Sequence, residues 1–374
     1  MRRLRIAVIA PLRFPIARPH AGGLEAAVWS EVEALRARGH RVDVVAVRGS
    51  EHVVPGSVFE MPELGWAADA VRTDKTYPPA YELVSVPMLR RALEAIAADA
   101  DAYDVVSNHC LHPLPLRMAP SLGVPMVTTL HTPVDAGFVS AHRSAGRRGS
   151  VFLSVSEHTR RQWLRAGVAS TLLPNGVDPD VWRPGAGGDG LVWFGRVVPE
   201  KAPHLAIEVA RALGRPLTIA GRIGDRQYAD EMIAPRLGGG IGYVGELRPE
   251  ELASLVGSSA LALATPAWAE PFGLVGPEAL MTGTPVVGFA VGGVPEIAAA
   301  SIGMQLVEAG DVDAMAAVAR EMLAVSDDPR LRAPLRRRIR ARAVERFSIE
   351  ARITALERLY GEFDRDAVPV EMPA

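Results

Sequence analysis

Residues 191–221 read LVWFGRVVPEKAPHLAIEVARALGRPLTIAG. The apolar runs at 191–195 and 216–221 are short and rich in β-branched or aromatic side chains, which favours buried strands. Between them, residues 201–214 carry apolar side chains at helical spacing. A strand, a helix and a strand in this order are typical of a βαβ unit, whose strands pair in parallel. This stretch therefore predicts an α/β fold with a parallel sheet.

The same alternation extends to both sides, and a stretch rich in Pro, Gly, Asn and Asp at 174–190 interrupts it. We interpret that stretch as a linker between two doubly wound, Rossmann-like domains that face each other across a cleft. The predicted domains are 1–183, 184–347, and a carboxyl-terminal segment 348–374 with a crossing helix and a loose tail. Further predicted strands are 5–10, 42–47, 103–108, 125–131, 152–156, 170–174, 241–245, 261–265 and 285–290, and further predicted helices are 23–38, 88–98, 227–237, 249–259, one from about 273, and 348–363.

Composition agrees with a folded protein and excludes several classes. The 374 residues suffice for about two or three domains, and 48% hydrophobic with 22% charged residues is typical of globular chains. The net charge of -2 provides no overall attraction to nucleic acid or to an anionic membrane. Cys110 is the only cysteine, so no disulfide can form within the chain. The first apolar run ends at Pro11, too early for a signal peptide, and no apolar run predicts a spanning helix, so we expect a cytoplasmic protein.

A glycine pair, Gly22 and Gly23, ends a loop and opens the helix predicted over 23–38. Free amides at such a helix start suit an anionic group, although a plain tight turn would use the same residues. The pair belongs to no Gly-x-Gly-x-x-Gly fingerprint, and the strand at 42–47 has no acidic residue at its end, so dinucleotide binding is not predicted.

Two positive residues follow the strand at 191–195. Arg196 comes directly after it, and Lys201 lies five residues later at the start of the next predicted helix. A guanidinium and an ammonium group near a strand's carboxyl end can clamp a diphosphate without a metal. Two solvated surface charges are the alternative.

The stretch EPFGLVGPE at 270–278 places Glu270 and Glu278 eight positions apart in an otherwise apolar region. A helix is predicted to begin near its middle, so that the amides of Gly273 and Leu274 point at an anion. Because carboxylates accept hydrogen bonds from hydroxyls, the pattern fits a phosphate with hydroxyl-bearing groups on both sides, as in a nucleotide-sugar. Alternatively, one glutamate is a loop residue and the other complements the helix dipole.

Several motifs, taken together and in order, resemble those of the GT-B glycosyltransferases of family 4. The likeness covers most of the chain and is strongest over 152–296. The family has two facing Rossmann-like domains, of which the amino-terminal one binds the acceptor and the carboxyl-terminal one the nucleotide-sugar. The motifs are GGLE (22–25), VSEHTRRQW (155–163), LLPNGVDPDVWRP (172–184), GRVVPEK (195–201), the Glu270 and Glu278 pair, and GTPVVGFAVGGVPE (283–296).

The resemblance implies roles for individual residues. Glu270 would contact hydroxyls of the donor sugar, Glu278 would contact the ribose, and Arg196 and Lys201 would neutralise the diphosphate. His131, in TLHTP, would lie beside the reacting sugar. The residues implied to support the phosphate or the sugar are Gly22, Gly23, Phe272, Gly273 and Leu274.

The resemblance also implies a reaction. Such enzymes retain the anomeric configuration and need no metal, and the departing phosphate oxygen helps to take the acceptor's proton. The chain looks similar to a bacterial branch with antibiotic-tailoring and pteridine glucosyltransferases, so UDP-glucose is favoured over GDP-mannose as donor. A nucleotide-sugar 2-epimerase of the same fold and a non-catalytic nucleotide-sugar-binding protein are the alternatives.

Other residues are weaker candidates. Arg13, His20, His109 and Arg143 are expected to contact the acceptor, because they lie in loops or follow a strand. The sequence NHCLH at 108–112 matches no zinc-ligand spacing, so no metal is predicted.

The arginine-rich stretch 330–347 is predicted to be a solvated helix rather than a nucleic-acid-binding or membrane-binding one, because acidic residues lie nearby.

Overall fold

The computed structural model describes residues 2–66, 76–147 and 149–363. It contains two parallel sheets, each covered by helices, which confirms the predicted α/β class with two Rossmann-like units. The predicted tail at 364–374 lies outside the described residues.

The first sheet, with its helices, forms the amino-terminal unit. Its seven strands lie in the order β3-β2-β1-β4-β5-β6-β7, and every pairing is parallel. Strands such as β1 are buried on both faces because helices cover both sides, which explains their continuous apolar runs. The strands are β1 (Arg5–Ile9), β2 (Arg41–Val47), β3 (Glu60–Met61), β4 (Val105–Asn108), β5 (Met126–Leu130), β6 (Val151–Ser154) and β7 (Thr171–Leu172).

The second sheet belongs to the carboxyl-terminal unit and repeats this design with six parallel strands in the order β10-β9-β8-β11-β12-β13. In both sheets the strand order reverses beside the first strand of the unit, which creates a crevice at the carboxyl ends of the strands. The strands are β8 (Leu191–Phe194), β9 (Leu217–Ala220), β10 (Ile241–Tyr243), β11 (Leu261–Ala264), β12 (Val286–Phe289) and β13 (Met304–Val307).

Two predicted helices are corrected in detail. The helix predicted from 201 begins at Pro203, because Ala202 adopts a left-handed conformation with φ of 45°. The helix predicted at 227–237 is divided into a short α-helical, a π-helical and a 3-10 segment that end at Arg236, with Pro235 in the last one. The α-helices are α1 (Gly23–Ala37), α2 (Val86–Ala98), α3 (Leu114–Met118), α4 (Ala136–Ser144), α5 (Glu157–Arg165), α6 (Pro203–Leu213), α7 (Arg226–Tyr228), α8 (Pro249–Gly257), α9 (Val275–Met281), α10 (Val294–Ala300), α11 (Val312–Asp327), α12 (Pro329–Phe347) and α13 (Ile349–Gly361).

The chain passes between the units twice at neighbouring points. Val177 pairs with Ser348 where the linker meets the end of α12. The following helix, α13, returns to the amino-terminal unit, where Ile353 and Tyr360 join the core of that unit. The last helix therefore fastens the two units on the side of the linker.

Polar contacts fasten the units on a second side. Both carboxylate oxygens of Glu296 accept hydrogen bonds from the first amides of α5, Glu157 N and His158 N, at 2.7 Å. The Ser156 and Thr159 hydroxyls both donate to the carbonyl oxygen of Pro271. This contact region lies directly next to Glu270 and so borders the cleft between the sheets.

Candidate functional site

A cavity of about 300 Å³ lies between the two units at the carboxyl ends of their strands. Ligands of doubly wound sheets bind at this edge, and clefts between domains are common ligand sites. The amino-terminal unit contributes the start of α1 and the end of β5, and the carboxyl-terminal unit contributes the loops after β8 and β11. Of the residues proposed from the sequence, those lining the cavity are Arg13, His20, Gly22, Gly23, His131, Arg196, Lys201, Glu270, Phe272, Gly273, Leu274 and Glu278.

Glu270 and Lys201 form an ion pair within the cleft. Trp268 Nε1 donates to the Glu270 carboxylate over 2.8 Å, and the Lys201 ammonium lies 5.6 Å from the Trp268 ring centre. Glu270 is only 7% exposed, so it is held as a paired and hydrogen-bonded carboxylate rather than as a loop residue in water.

The main chain of Glu270 is held by the turn that follows β12. Gly292 has a φ of 57°, and a Cβ atom there would lie 2.1 Å from the Glu270 carbonyl oxygen. Gly293 N donates to the same oxygen over 2.8 Å. Only glycine allows this approach, so the glycine-rich turn positions the acidic residue.

Arg196 reaches across the cleft to the start of α1. A Cβ atom on Gly22 would lie 3.8 Å from Arg196 Cδ, so the glycine leaves room for the guanidinium arm. Arg196 Nη2 also lies 3.8 Å from Glu200 Oε1 on its own loop. One positive side chain and the positive end of a fifteen-residue helix therefore converge from opposite units.

Two sets of backbone amides open into the same cavity. Within the described part of the chain, the N–H groups of residues 23–25 and 272–274 donate to no other group. α9 begins at Val275, with Leu274 as its N-cap, so the second set lies just ahead of a helix start. Unpaired amides at helix starts are suited to oxyanions.

Glu278 is the second carboxyl group of the cleft, and its environment differs from that of Glu270. Its side chain makes no hydrogen bond to any described residue and lies on the first turns of α9, partly open to the cavity. Burial raises the pKa of Glu278 to about 8. A carboxyl group with such a pKa is characteristic of functional sites, because an isolated buried acid costs stability.

His131 follows β5 and lines the cavity. Its Nε2 lies 2.9 Å from Nδ1 of His109, which stands behind it. Burial holds the pKa of His131 well below its usual range, so its imidazole is neutral. The structure thus places a neutral histidine at the cleft surface.

The four acceptor candidates separate into two groups. Arg13 and His20 line the cavity, and burial lowers the pKa of His20 to about 4. The other two require correction. His109 is only 1% exposed, because α1 covers it, and Arg143 is exposed on α4 outside the cavity wall. Neither is placed to contact a ligand in the cleft.

Sequence reasoning missed several polar residues of the cavity wall, among them Glu25, Asn175 and Glu246. Glu25 is 3% exposed, and its Oε1 has no hydrogen-bond partner among the described residues. The buried Oδ1 of Asn175 also has no hydrogen-bond partner among them. Glu246 faces the cavity, and burial raises its pKa. Glu25 and Asn175 lie in the motifs GGLE and LLPNGVDPDVWRP, but the sequence alone assigns no role to either residue.

The arginines of α12 also differ from the prediction of a solvated helix. The buried Arg336 guanidinium donates to the carbonyl oxygens of Gly185, Gly257 and Ser259 at 2.9, 2.7 and 3.1 Å. Arg336 therefore fastens the linker to the carboxyl-terminal unit.

Residues 2–66, 76–147 and 149–363 contain neither a metal-ligand cluster nor a membrane-spanning helix. No group of three or more His, Cys, Asp or Glu side chains is arranged there to hold a metal ion. No helix in these ranges has both the length and the apolarity needed to cross a bilayer.

Comparison with known proteins agrees with this architecture. Residues 21–181 match the model of Glycosyltransferase Family 4, and residues 187–346 match that of Glycosyl transferases group 1. Glycogen synthase of Mycobacterium tuberculosis is 30% identical over 295 residues, which span 69% of this chain and 68% of that protein. Phosphatidyl-myo-inositol mannosyltransferase of Mycolicibacterium smegmatis is 28% identical over 88% of this chain and 86% of its own length.

A solved structure gives the same result for the fold. The Anabaena protein HepE, crystallised with UDP and glucose, superposes with a TM-score of 0.73 at 18% identity, covering 96% of this chain and all of that one. Because the two matched models together span both units and the glycogen synthase match covers two thirds of each protein, the family is established. The chain belongs to the GT-B glycosyltransferases of family 4 and is a glycosyltransferase.

Proposed function

We propose that this enzyme transfers a hexose from a nucleotide diphosphate sugar, preferably UDP-glucose, to a hydroxyl group of an acceptor, with retention of the anomeric configuration and without a metal. The observation that supports the proposal most directly is the convergence on one cavity of the positive side chains of Arg196 and Lys201, two sets of unpaired amides, and the carboxyl groups of Glu270 and Glu278. The positive side chains and the amides suit a diphosphate, and the carboxyl groups suit the hydroxyl-bearing groups on its two sides.

In the proposed complex, the diphosphate lies between Arg196, Lys201 and the amides of residues 23–25 and 272–274. Its charge replaces Glu270 as a partner of Lys201, and this frees Glu270 to accept hydrogen bonds from sugar hydroxyls. Glu278 accepts hydrogen bonds from the ribose. The fixed positive groups offset the charge of the departing diphosphate, a task for which many transferases use a divalent cation.

The proposed reaction takes place on one face of the sugar. The bond between the anomeric carbon and the phosphate oxygen breaks, and a bond from that carbon to the acceptor oxygen forms on the same side. The acceptor's proton passes to the departing phosphate oxygen. Lys201 and Arg196 stabilise the charge that develops on this oxygen, so they contribute chiefly in the transition state.

A stability screen tests the choice of donor. UDP-, GDP- and ADP-sugars are added separately, and the thermal midpoint of unfolding is recorded. A ligand at about a hundred times its dissociation constant stabilises the folded state by about 2.7 kcal/mol. We expect the largest increase with UDP-glucose, whereas a larger increase with GDP-mannose would contradict the preferred donor.

The catalytic role is tested by Lys201→Ala at saturating donor. Removal of one group that stabilises transition-state charge lowers turnover by about a hundredfold to a thousandfold. Arg226→Ala is the matched control, because it removes a positive charge that is 77% exposed on α7, outside the cavity wall. Unchanged turnover of the Lys201 variant would refute the role of this lysine.

A further inference from the structure

Behind His131, a chain of buried polar groups runs from the cleft to the last helix. His131 Nε2 lies 2.9 Å from His109 Nδ1, and His109 Nε2 lies 3.1 Å from Glu31 Oε1. The other carboxylate oxygen of Glu31, Oε2, accepts hydrogen bonds from Arg352 of α13 at 2.8 and 2.9 Å. Four residues, one each from α1 and α13 and one each directly after β4 and β5, thus form one continuous chain.

Two hydroxyl groups complete this chain. Tyr360 donates to Ser107 Oγ over 3.0 Å, and Ser107 in turn donates to Glu31 Oε1 over 3.2 Å. Glu31 and His109 are each 1% exposed. Buried polar atoms are hydrogen-bonded, and in each bond one atom donates and the other accepts. The direction of one bond therefore fixes the direction of the next along the chain.

The direction is set at Glu31. Burial opposes ionisation of Glu31, but the charge of Arg352 and the hydrogen bonds from Arg352 and His109 outweigh it and hold its pKa well below the ordinary range, so Glu31 is a carboxylate. His109 Nε2 also lies 3.0 Å from Ser107 Oγ, but Ser107 has a single proton and donates it to Glu31 Oε1. Because a carboxylate can only accept, the His109 Nε2 carries a proton and donates it. Arg352 already balances the charge of Glu31, and a second proton on His109 would leave an uncompensated positive charge in the interior. This charge balance favours the neutral form of His109, in which Nδ1 is an acceptor.

That conclusion carries over to His131. Since His109 Nδ1 accepts, the Nε2 of His131 must donate, and the neutral His131 then has no proton on Nδ1. His131 lines the cavity, and its Nδ1 makes no hydrogen bond to any described residue. The nitrogen left for a ligand is thus an acceptor.

We propose that Glu31 and His109 are positioning residues that fix the tautomer of His131, so that its Nδ1 accepts a hydrogen bond from a hydroxyl of the sugar in the cleft. Arg352 orients the carboxylate, and through it the carboxyl-terminal helix contributes to the site. The tautomer assignment rests on the hydrogen-bond geometry and on the charges of Glu31 and Arg352, whereas the contact with a sugar hydroxyl rests on the proposed function.

The variant Glu31→Gln tests the chain of bonds sharply. Arg352 can only donate, so the single amide oxygen must remain on its side and the amide N–H₂ must face His109. His109 Nε2 then has to accept, its proton moves to Nδ1, and that group donates to His131 Nε2. The change at Glu31 therefore reverses the tautomer of His131, with which it makes no direct contact.

The measurement is made on the full-length protein labelled with ¹⁵N-histidine, by long-range ¹H–¹⁵N correlation at pH 8 without ligand. Single histidine substitutions assign the resonances of the nine histidines. We expect Nε2–H tautomers for His109 and His131 in the wild type, and Nδ1–H tautomers for both in Glu31→Gln. A wild-type His131 with its proton on Nδ1, or a folded variant without reversal, would overturn the proposal.

A second arginine, glutamate and histidine arrangement provides the matched control. His40 Nε2 lies 2.9 Å from Glu357 Oε1, Arg38 Nη1 lies 3.0 Å from Glu357 Oε2, and His40 Nδ1 accepts from Leu4 N. This set joins α13 to the residues that directly follow α1, and it contributes nothing to the cavity wall. Glu357→Gln should therefore leave the tautomer of His131 unchanged.

Two further measurements keep the outcome decisive. If Glu31→Gln does not fold, His109→Phe should abolish the slowly exchanging Nε2–H signal of His131, and its persistence would contradict the proposal. In the folded Glu31→Gln protein, we expect unchanged affinity for UDP and about a tenfold loss for UDP-glucose, because only the sugar meets His131. An affinity of the variant for UDP-glucose equal to that of the wild type would contradict the sugar contact. If the wild type binds no UDP-glucose, the proposed donor fails while the tautomer result stands.

Discussion

Replacement of Glu278 by glutamine should stabilise the unliganded enzyme at alkaline pH. The Glu278 carboxyl makes no hydrogen bond to a described residue, and burial raises its pKa from the ordinary 4.5 to about 8. Between these two values the folded protein holds a proton that the unfolded chain has released. The unfolded chain binds fewer protons there, so the free energy of unfolding falls as pH rises, by up to about 1.4 kcal/mol per pH unit.

Above pH 8 the accumulated loss in the free energy of unfolding of the wild type is at most about 5 kcal/mol, and structural relaxation around the carboxylate makes this loss smaller. When the pH rises from 4.5 to 8.5, we expect the free energy of unfolding of Glu278→Gln to increase by about 2 to 4 kcal/mol relative to that of the wild type, because a neutral amide is not ionised in either state. Urea denaturation at both pH values measures this gain. Glu321→Gln, on an exposed position of α11, is the control.

The same substitution should weaken UDP binding. In the proposed complex the ribose hydroxyls donate to Glu278, and an amide offers only one acceptor atom, so we expect about a tenfold higher dissociation constant by calorimetry. A variant that is no more stable than the wild type at pH 8.5 would refute the assignment of a desolvated acid. A stabilised variant with unchanged UDP affinity would instead refute the ribose contact.

Three further predictions concern separate parts of the molecule. Arg336→Met should lower the free energy of unfolding by about 3 to 5 kcal/mol, because several buried carbonyl groups lose their donor, whereas the exposed Arg337→Met should change it by less than about 0.5 kcal/mol in the same denaturation assay. Gly292→Ala should displace the Glu270 main chain and lower turnover by at least about tenfold in a folded protein; normal kinetics would contradict this. Burial raises the pKa of the Cys110 thiol to about 12, so Ellman's reagent at pH 8 should react only with unfolded protein, and rapid reaction of the native enzyme would contradict this.

The fold could be predicted from the sequence because its main signals are local. Buried parallel strands are continuous apolar runs, and the runs around 191–221 are separated by a helix with clear periodicity. The residues that line the cavity could be predicted from the sequence for a related reason. They directly follow strand ends or open helices, and in a doubly wound fold all such positions meet at one edge.

The position of His109 shows where this reasoning ends. It directly follows β4, as the residues of the cleft follow their strands, but side chains at successive strand positions point to opposite faces. The sequence does not tell which face α1 covers, and the structure places His109 under that helix. Adjacency to a strand end therefore predicts the edge of the sheet but not the direction of the side chain.

Buried charges were the second difficulty. Glu31 lies in a helix that also contains Glu25 and Glu33, so the pattern indicates an ordinary solvated face. Its partner Arg352 is 321 positions away in the sequence, in the helix that returns from the other unit. No local pattern contains such a pair. The arginines of α12 were misinterpreted for the same reason, because their acceptors are carbonyl groups of distant turns.

The contact between the units implies that the proposed donor site depends on both of them. Glu270 and the amide set that begins at Phe272 flank Pro271, whose carbonyl oxygen accepts hydrogen bonds from Ser156 and Thr159 of the amino-terminal unit. Glu296 lies in α10, directly after the turn that holds the Glu270 main chain. Its carboxylate accepts hydrogen bonds from the first amides of α5 in the amino-terminal unit. A displacement of α5 therefore acts on the loop that carries the acid and the amides. Since these groups must lie within a fraction of an ångström of their positions to stabilise a departing phosphate, we expect the proposed donor site to require an intact contact between the units.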